Sequence, residues 1–97
     1  MKIPKRFKLG AITISVEYDD TIVHNHRATG RSDYELSTIK IADKNTVCNI
    51  DKEVIEHAFL HEVVHHIMNA MNKPQDEEFT DVFARFMHQY IKSSEFK

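Results

Sequence analysis

The stretch that decides the fold of this chain is HAFLHEVVHHIM, residues 57–68. Four of the seven histidines fall within residues 57–66, with an acidic residue among them. Within the stretch, HEVVH is an H-E-x-x-H motif formed by His61, Glu62 and His65. The flanking apolar residues recur at helical spacing, so the motif is predicted to lie inside a helix.

Upstream of this helix the periodicity is that of strands. Residues 7–18, FKLGAITISVEY, alternate apolar and polar side chains, and so do residues 34–43, YELSTIKIAD, which predicts a strand in each segment. Residues 19–24, DDTIVH, are expected to add a short strand after an Asp-Asp turn. Residues 25–33, NHRATGRSD, contain Gly30 and are interpreted as a loop.

Two helices are predicted in the second half. Asn49 or Asp51 can cap the first, which should run to about Asn72, because Pro74 cannot lie in a helix interior. The second should run from about Asp76 to Ser93. It has an apolar stripe of Phe79, Val82, Phe83, Phe86, Met87 and Tyr90, and a roughly opposite stripe of Glu77, Asp81, Ala84 and His88.

This order of elements predicts an α+β fold, with a small, mostly antiparallel sheet in the N-terminal half followed by two packed helices that carry the metal site. The small side chain of Ala84 should let the second helix approach the first closely. With 97 residues, the chain is expected to form a single domain, 1–97.

Composition excludes several classes of function. The net charge of −2 gives no reason to expect a nucleic-acid partner. No apolar run approaches the ~20 residues that a membrane span requires, so no membrane partner is expected. The single cysteine, Cys48, cannot form an internal disulfide, and a cytoplasmic location is the default expectation.

The motif has the spacing of a hydrolytic zinc site. Residues four apart on a helix lie ~5–6 Å apart at Cβ, so His61 and His65 can bind one Zn²⁺. Glu62 is then placed to take a proton from a metal-bound water, which zinc makes acidic. His57 and His61 could also hold a metal, but Ala58 would occupy the position of the base. A histidine-rich polar helix face without metal is the plain alternative.

The remaining histidines are given other roles. His57 and His65 lie ~12 Å apart along the helix axis, too far to share one ion. His57 and His66 are therefore expected at the surface or beside the ligands. His24 and His26 should be solvated in a loop.

Catalytic zinc usually has three protein ligands, so the second helix should supply one. Glu77 is the preferred third ligand, with Asp81 as a hydrogen-bond partner of a ligating histidine. Glu78 and Asp81 itself stay open as alternative third ligands. Acidic residues in a first helical turn also often serve only the helix dipole.

These residues resemble the gluzincin branch of the HExxH metallopeptidases in a minimal form. The segment DEEFTD, residues 76–81, looks like the N-E-x-x-x-D signature that supplies a glutamate ligand and a supporting aspartate, with Asp76 in place of the asparagine. The likeness is greatest to small, uncharacterised phage-type zincin proteins, and its motifs cover residues 57–92.

The resemblance implies a zinc peptidase whose substrate, an extended peptide or protein segment, pairs with an edge strand beside the metal. Residues 34–42 are the candidate strand. The resemblance assigns no residue to stabilise the oxyanion, and Tyr34, Tyr90 and His88 stay open.

Two hypotheses follow for function. The first is a zinc-dependent metallopeptidase in which Glu62 is the general base. The second is a catalytically inactive protein-binding module stabilised by zinc. A homo-oligomer is compatible with both.

Overall fold

The computed structural model describes residues 1–26, 29–44 and 49–95, apart from the side chains of residues 24–26. Within this part of the chain lie four strands and three helices. They are β1 (Arg6–Leu9), β2 (Ile12–Tyr18), α1 (Thr21–His26), β3 (Gly30–Asp33), β4 (Thr38–Ile41), α2 (Lys52–Ala70) and α3 (Glu77–Ser93). Cys48 is outside the described residues.

The strands form one mixed sheet in the order β1-β2-β4-β3. β1 and β2 are antiparallel and are joined by a two-residue turn in which Gly10 has a φ of 61°, a conformation that glycine adopts without a steric penalty. β2 and β4 are parallel, whereas β4 and β3 are antiparallel. Because antiparallel pairing dominates and α2 packs against α3, the predicted α+β fold is confirmed.

The prediction that residues 34–42 form an edge strand is wrong. Residues 38–41 form β4, which lies between β2 and β3, and its Ile39 and Ile41 are completely buried. Residues 34–37 form a turn, in which the backbone N–H of Leu36 donates to a carboxylate oxygen of Asp33 at 3.0 Å. The apolar alternation predicted a strand here correctly but could not show which strand would lie at the edge.

The edge strand beside the helices is β3. This segment lies within residues 25–33, which were predicted to form a loop. Its sequence, GRSD, is short and polar and therefore lacks the hydrophobic alternation that marks a half-buried strand. Short strands are common at sheet edges.

Residues 19–24 were expected to include a strand, and this prediction is also wrong, because α1 begins at Thr21. Asp19 accepts a hydrogen bond from the backbone N–H of Thr21 at 3.0 Å, as a helix-capping carboxylate does. The short helix also buries one apolar side chain, that of Ile22.

Helix α2 agrees with the prediction to within two residues. Asp51 caps it by accepting a hydrogen bond from the N–H of Glu53 at 2.8 Å. Past its end, Asn72 has a φ of 56°, and the N–H of Lys73 donates to the carbonyl of Met68 at 2.9 Å. Asparagine tolerates this left-handed conformation better than most residues, which lets the chain leave the helix before Pro74.

Helix α3 also begins and ends as predicted. Asp76 caps it by accepting from the N–H of Phe79 at 3.0 Å. Its contact face towards α2 is the stripe of small and polar residues, since Thr80 and Ala84 have no exposed surface. The close approach expected from Ala84 is confirmed.

The hydrophobic core lies between the sheet and α2, with one side chain from α3. Its buried members are Ile14, Ile39, Ile41, Phe59, Leu60, Val64 and Ala84. The packing leaves the polar side of α2 turned towards β3 and α3, and this is where the motif residues lie.

Within the described residues, no helix combines the length and the apolar character that crossing a bilayer requires.

Candidate metal centre

The two motif histidines project from the same side of α2. One helical turn separates them, and their ring centroids are 4.8 Å apart. Their Nε2 atoms approach to 3.1 Å. The helical spacing therefore brings two imidazole nitrogens to one point, as the motif predicted.

Glu77, the first residue of α3, brings a carboxylate to the same point. One carboxylate oxygen lies 3.2 Å from Nε2 of His61, and the other lies 2.9 Å from Nε2 of His65. We call His61, His65 and Glu77 the metal triad. These are three residues whose ligand atoms all lie within 4.8 Å of one another.

The spacing of the two imidazole nitrogens fits two ligands of one tetrahedral zinc ion. Bonds of ~2.0–2.1 Å at tetrahedral angles place ligand atoms about 3.3 Å apart. The two Nε2 atoms, 3.1 Å apart, are close to that value, and each lies 2.9–3.2 Å from a different oxygen of Glu77. Two imidazoles and one carboxylate are also ligand types that catalytic zinc sites use.

Gln75 fixes the orientation and tautomer of His65. Nδ1 of His65 donates to the side-chain oxygen of Gln75 at 2.6 Å, while the amide nitrogen of Gln75 donates to the backbone carbonyl of His65 at 3.1 Å. In a neutral imidazole, Nε2 then carries the lone pair. That lone pair faces a carboxylate oxygen of Glu77. Since the lone pair and the oxygen are both hydrogen-bond acceptors, a cation between them would stabilise the arrangement.

Asp81 lies one turn further along α3. Its Oδ1 is 3.6 Å from Nδ1 of His61 and 3.6 Å from Nε2 of His57, and its Oδ2 accepts from Arg85 at 2.7 Å. The structure thus places Asp81 beside His61, on the ring side opposite the metal triad, but the 3.6 Å distance is too long for the predicted hydrogen bond. Nε2 of His57 is buried and forms no hydrogen bond with the described residues.

Glu62 is held between α2 and β3. It is 7% exposed, and Oγ of Ser32 donates to its carboxylate at 3.0 Å. Burial raises the pKa of Glu62, although the hydrogen bond from Ser32 and the nearby histidines oppose this effect. A carboxylate of raised pKa is better matched to accepting and returning a proton near neutral pH.

Gly30 makes room for Glu62. A Cβ atom at Gly30 would lie 3.0 Å from Cγ of Glu62 and 3.3 Å from the carbonyl oxygen of Ala58. A side chain at this position of β3 would therefore push the strand or the glutamate away.

These residues line an open cavity of about 580 Å³. β3 forms one wall, α2 forms the floor, and the start of α3 forms the opposite wall. Tyr34 lies at its border, with its ring edge-on to His66 at a centroid distance of 5.1 Å. Burial, with the charges of Glu62 and Glu77, raises the pKa of the Tyr34 hydroxyl, which therefore stays protonated.

The other candidate residues lie elsewhere. Glu78 lines a separate groove on the far side of α3, so it is not brought to the histidine pair. His66 was expected at the surface or beside the ligands, but it is 2% exposed and its Nε2 donates to the carbonyl of Thr38 at 3.2 Å. Burial lowers the pKa of His66, which fits a neutral core residue. The side chains of His24 and His26 are outside the described part of the chain.

A second group of possible ligands contains Glu53, Glu56 and His88. The ammonium of Lys92 lies 3.4 Å from Glu53 and 3.3 Å from Glu56, and Nε2 of His88 donates to Glu56 at 2.9 Å. Since the lysine already supplies a cation between the carboxylates, this group is an ion-pair network that joins α2 to α3.

Sequence reasoning missed three residues of the centre, namely Gly30, Ser32 and Gln75. The first two belong to a strand that lacks apolar alternation, and their link to Glu62 spans about 30 positions of the sequence. Gln75 lies in the connection between the helices, directly before the capping Asp76, and its proximity to Glu77, the predicted third ligand, was the available signal.

In comparisons with known proteins, no family model, no curated protein and no solved structure matches this chain.

Proposed function

We propose that this chain is a zinc-dependent metallopeptidase of the minimal gluzincin type. The observation that supports the proposal best is the convergence of the metal triad beside a buried glutamate at the floor of an open cavity. A structural zinc site normally has four protein ligands, whereas three candidate ligands come together here among the described residues. An open fourth position is what distinguishes catalytic zinc sites.

His61, His65 and Glu77 would hold the metal. Zinc bound there would supply acidification of water and polarisation of the scissile carbonyl. Glu62 accepts the proton of the attacking water and then delivers it to the leaving amine. Ser32 holds the Glu62 carboxylate in place throughout, through the 3.0 Å hydrogen bond.

Tyr34 is the best placed of the three candidates for stabilising the oxyanion, because it borders the cavity. His88 is bonded to Glu56, and Tyr90 is 65% exposed on α3 outside the cavity. A protonated tyrosine hydroxyl can donate a hydrogen bond to a developing negative charge.

The substrate in this proposal is an extended peptide that pairs with β3 rather than with residues 34–42. Within the described residues, β3 pairs with β4 alone, and residues 29–32 line the cavity beside Glu62. Main-chain pairing along an edge strand binds a peptide with little dependence on its sequence.

Zinc-loaded protein incubated with a diverse peptide mixture tests the proposal, with the products identified by mass spectrometry. The wild type should cleave peptides, and Glu62→Gln should retain zinc while its cleavage rate falls by a factor of roughly 10² or more. Glu17→Gln, at an exposed position of β2, is the matched control and should cleave normally.

Two results would count against the proposal. Cleavage by Glu62→Gln at the wild-type rate would remove the role of the base. A zinc-loaded wild type that cleaves nothing, but unfolds when the metal is chelated, would instead indicate the zinc-stabilised binding module.

A further inference from the structure

Helix α3 carries a large apolar surface on the side that faces away from α2. We call the side chains of Phe79, Val82, Phe83, Phe86, Met87 and Tyr90 the outer α3 face. They are between 36% and 66% exposed, although they form the most regular apolar stripe in the sequence. The helix is held to the domain by its other face, through Thr80 and Ala84, so the stripe has no partner in the described structure.

The size of this surface is at the upper end of what a monomeric protein exposes. With ~200 Å² for a fully exposed aromatic side chain, the outer α3 face exposes roughly 600 Å². Met71, at the end of α2, is 61% exposed and lines the same groove as Phe79 and Phe83, so it extends the apolar patch. The largest apolar patch of a typical monomer is ~300–600 Å², while each partner in a stable complex buries ~800 Å² including its polar rim.

The shape of the outer α3 face is also suited to packing against the same face of a second copy. Phe79 and Phe83 stack with a centroid distance of 5.5 Å and form a ridge. The ridge separates two grooves, one of about 740 Å³ towards Met71 and Pro74 and one of about 360 Å³ towards Val82. A protein that presents a ridge beside apolar grooves can insert its ridge into the groove of a second copy.

The charges along one border of the face are self-complementary. Glu78 and Arg85 lie two helical turns apart on the same border, both exposed. In an antiparallel pair of α3 helices related by a two-fold axis, the same borders meet, and an axis that passes beside Val82, midway between the two residues, places Glu78 of each copy opposite Arg85 of the other. Arg85 already binds Asp81 through one nitrogen and retains further N–H groups for this contact.

From these features we propose that the chain forms a two-fold symmetric dimer through antiparallel packing of the outer α3 faces. The metal triad lies on the opposite side of α3, so both cavities stay open in the dimer. The proposal is independent of zinc binding and of peptidase activity.

Sedimentation equilibrium of the intact chain, over low micromolar to submillimolar concentrations, tests this directly. The wild type should reach twice the 11.4 kDa mass of one chain. Phe83→Asp should be monomeric throughout, with an unchanged circular dichroism spectrum because Phe83 is 45% exposed. A monomeric wild type, or open-ended oligomers, would overturn the proposal and leave the face to a different partner.

A charge exchange tests the orientation of the helices. Glu78→Lys and Arg85→Glu each place like charges opposite one another and should weaken the dimer by a factor of roughly ten. The double variant restores opposite charges and should recover most of the wild-type affinity. If the two single effects multiply in the double variant, the antiparallel arrangement is wrong.

Discussion

The chemistry of Glu62 depends on two residues of an edge strand that lies some thirty positions earlier in the sequence. Ser32 donates a hydrogen bond to its carboxylate, and Gly30 leaves the space that its Cγ occupies. Burial would otherwise favour the protonated acid, which cannot act as a base. The hydrogen bond from Ser32 therefore preserves the ionised form as well as the position of the side chain.

Replacement of Ser32 tests this role. In Ser32→Ala the ionised carboxylate loses a hydrogen bond, so the pKa of Glu62 should rise further above its ordinary value. The acidic limb of the pH–rate profile should move to higher pH, and zinc affinity should stay the same. Ser15→Ala, on the exposed side of β2, is the control. An unshifted acidic limb in Ser32→Ala would contradict the role assigned to the hydroxyl.

At the scale of elements, the site depends on how closely α3 approaches α2. Ala84 is completely buried at the helix contact, and Glu77 lies two turns earlier on the same side of α3. Close packing at Ala84 thus sets the distance between the Glu77 carboxylate and the two histidines on α2.

A larger residue at the helix contact should therefore weaken metal binding. Ala84→Leu overpacks the contact, which typically costs ~1–3 kcal/mol of stability, and it should move Glu77 away from the histidines. We expect zinc affinity to fall by a factor of roughly ten or more, measured by competition with a chelator. Gln89→Leu adds an apolar side chain at an exposed position of α3 and should leave affinity unchanged. Wild-type zinc affinity in a destabilised Ala84→Leu protein would contradict this account.

The two long helices show which features of the fold could be predicted from the sequence. Both long helices were predicted within about two residues of their observed bounds, because Asp51, Asp76 and Pro74 act through local hydrogen bonding and backbone geometry. The convergence of His61 and His65 follows from helical spacing alone.

The strands were predicted less well, because their positions depend on contacts between distant segments. β3 has no alternating pattern, and nothing local places β4 inside the sheet. The contacts that Ser32 and Gln75 make with the motif residues depend on this tertiary arrangement. Sequence therefore could not identify Ser32, and for Gln75 it offered only the position beside Asp76 and Glu77.

At the scale of the whole molecule, the ion-pair network on the other side of the α2–α3 contact joins the two helices again. Glu56 is 1% exposed and is bonded to His88, with Lys92 and the amine of Met1 nearby. The hydrogen bond from His88, assisted by that of Lys92, outweighs burial and lowers the pKa of Glu56 to about 2.

This network predicts a specific acid sensitivity. Since the pKa of Glu56 in the folded chain lies below its ordinary 4.5, ionised Glu56 stabilises the fold fully above that pH. The contribution is lost as the pH falls from 4.5 towards about 2. Glu56→Gln should show a shallower fall of the free energy of unfolding across this window, measured by urea titration at stepped pH.

Release of a bound metal in acid would affect both proteins equally, so the difference between the two slopes is the informative quantity. Glu17→Gln is the control, because Glu17 lies at an exposed position of β2 outside the network. Equal slopes for the wild type and Glu56→Gln would show that Glu56 does not link stability to pH in this range.

The measurement that tests the central claim most directly is the zinc content of purified protein, determined by elemental analysis together with zinc affinity. The wild type should bind about one zinc per chain. Glu77→Gln should bind at least roughly tenfold more weakly, and Glu78→Gln, its neighbour on the far side of α3, should bind like the wild type. Absence of stoichiometric zinc from the wild type, or loss of zinc in Glu78→Gln but not in Glu77→Gln, would contradict the metal triad.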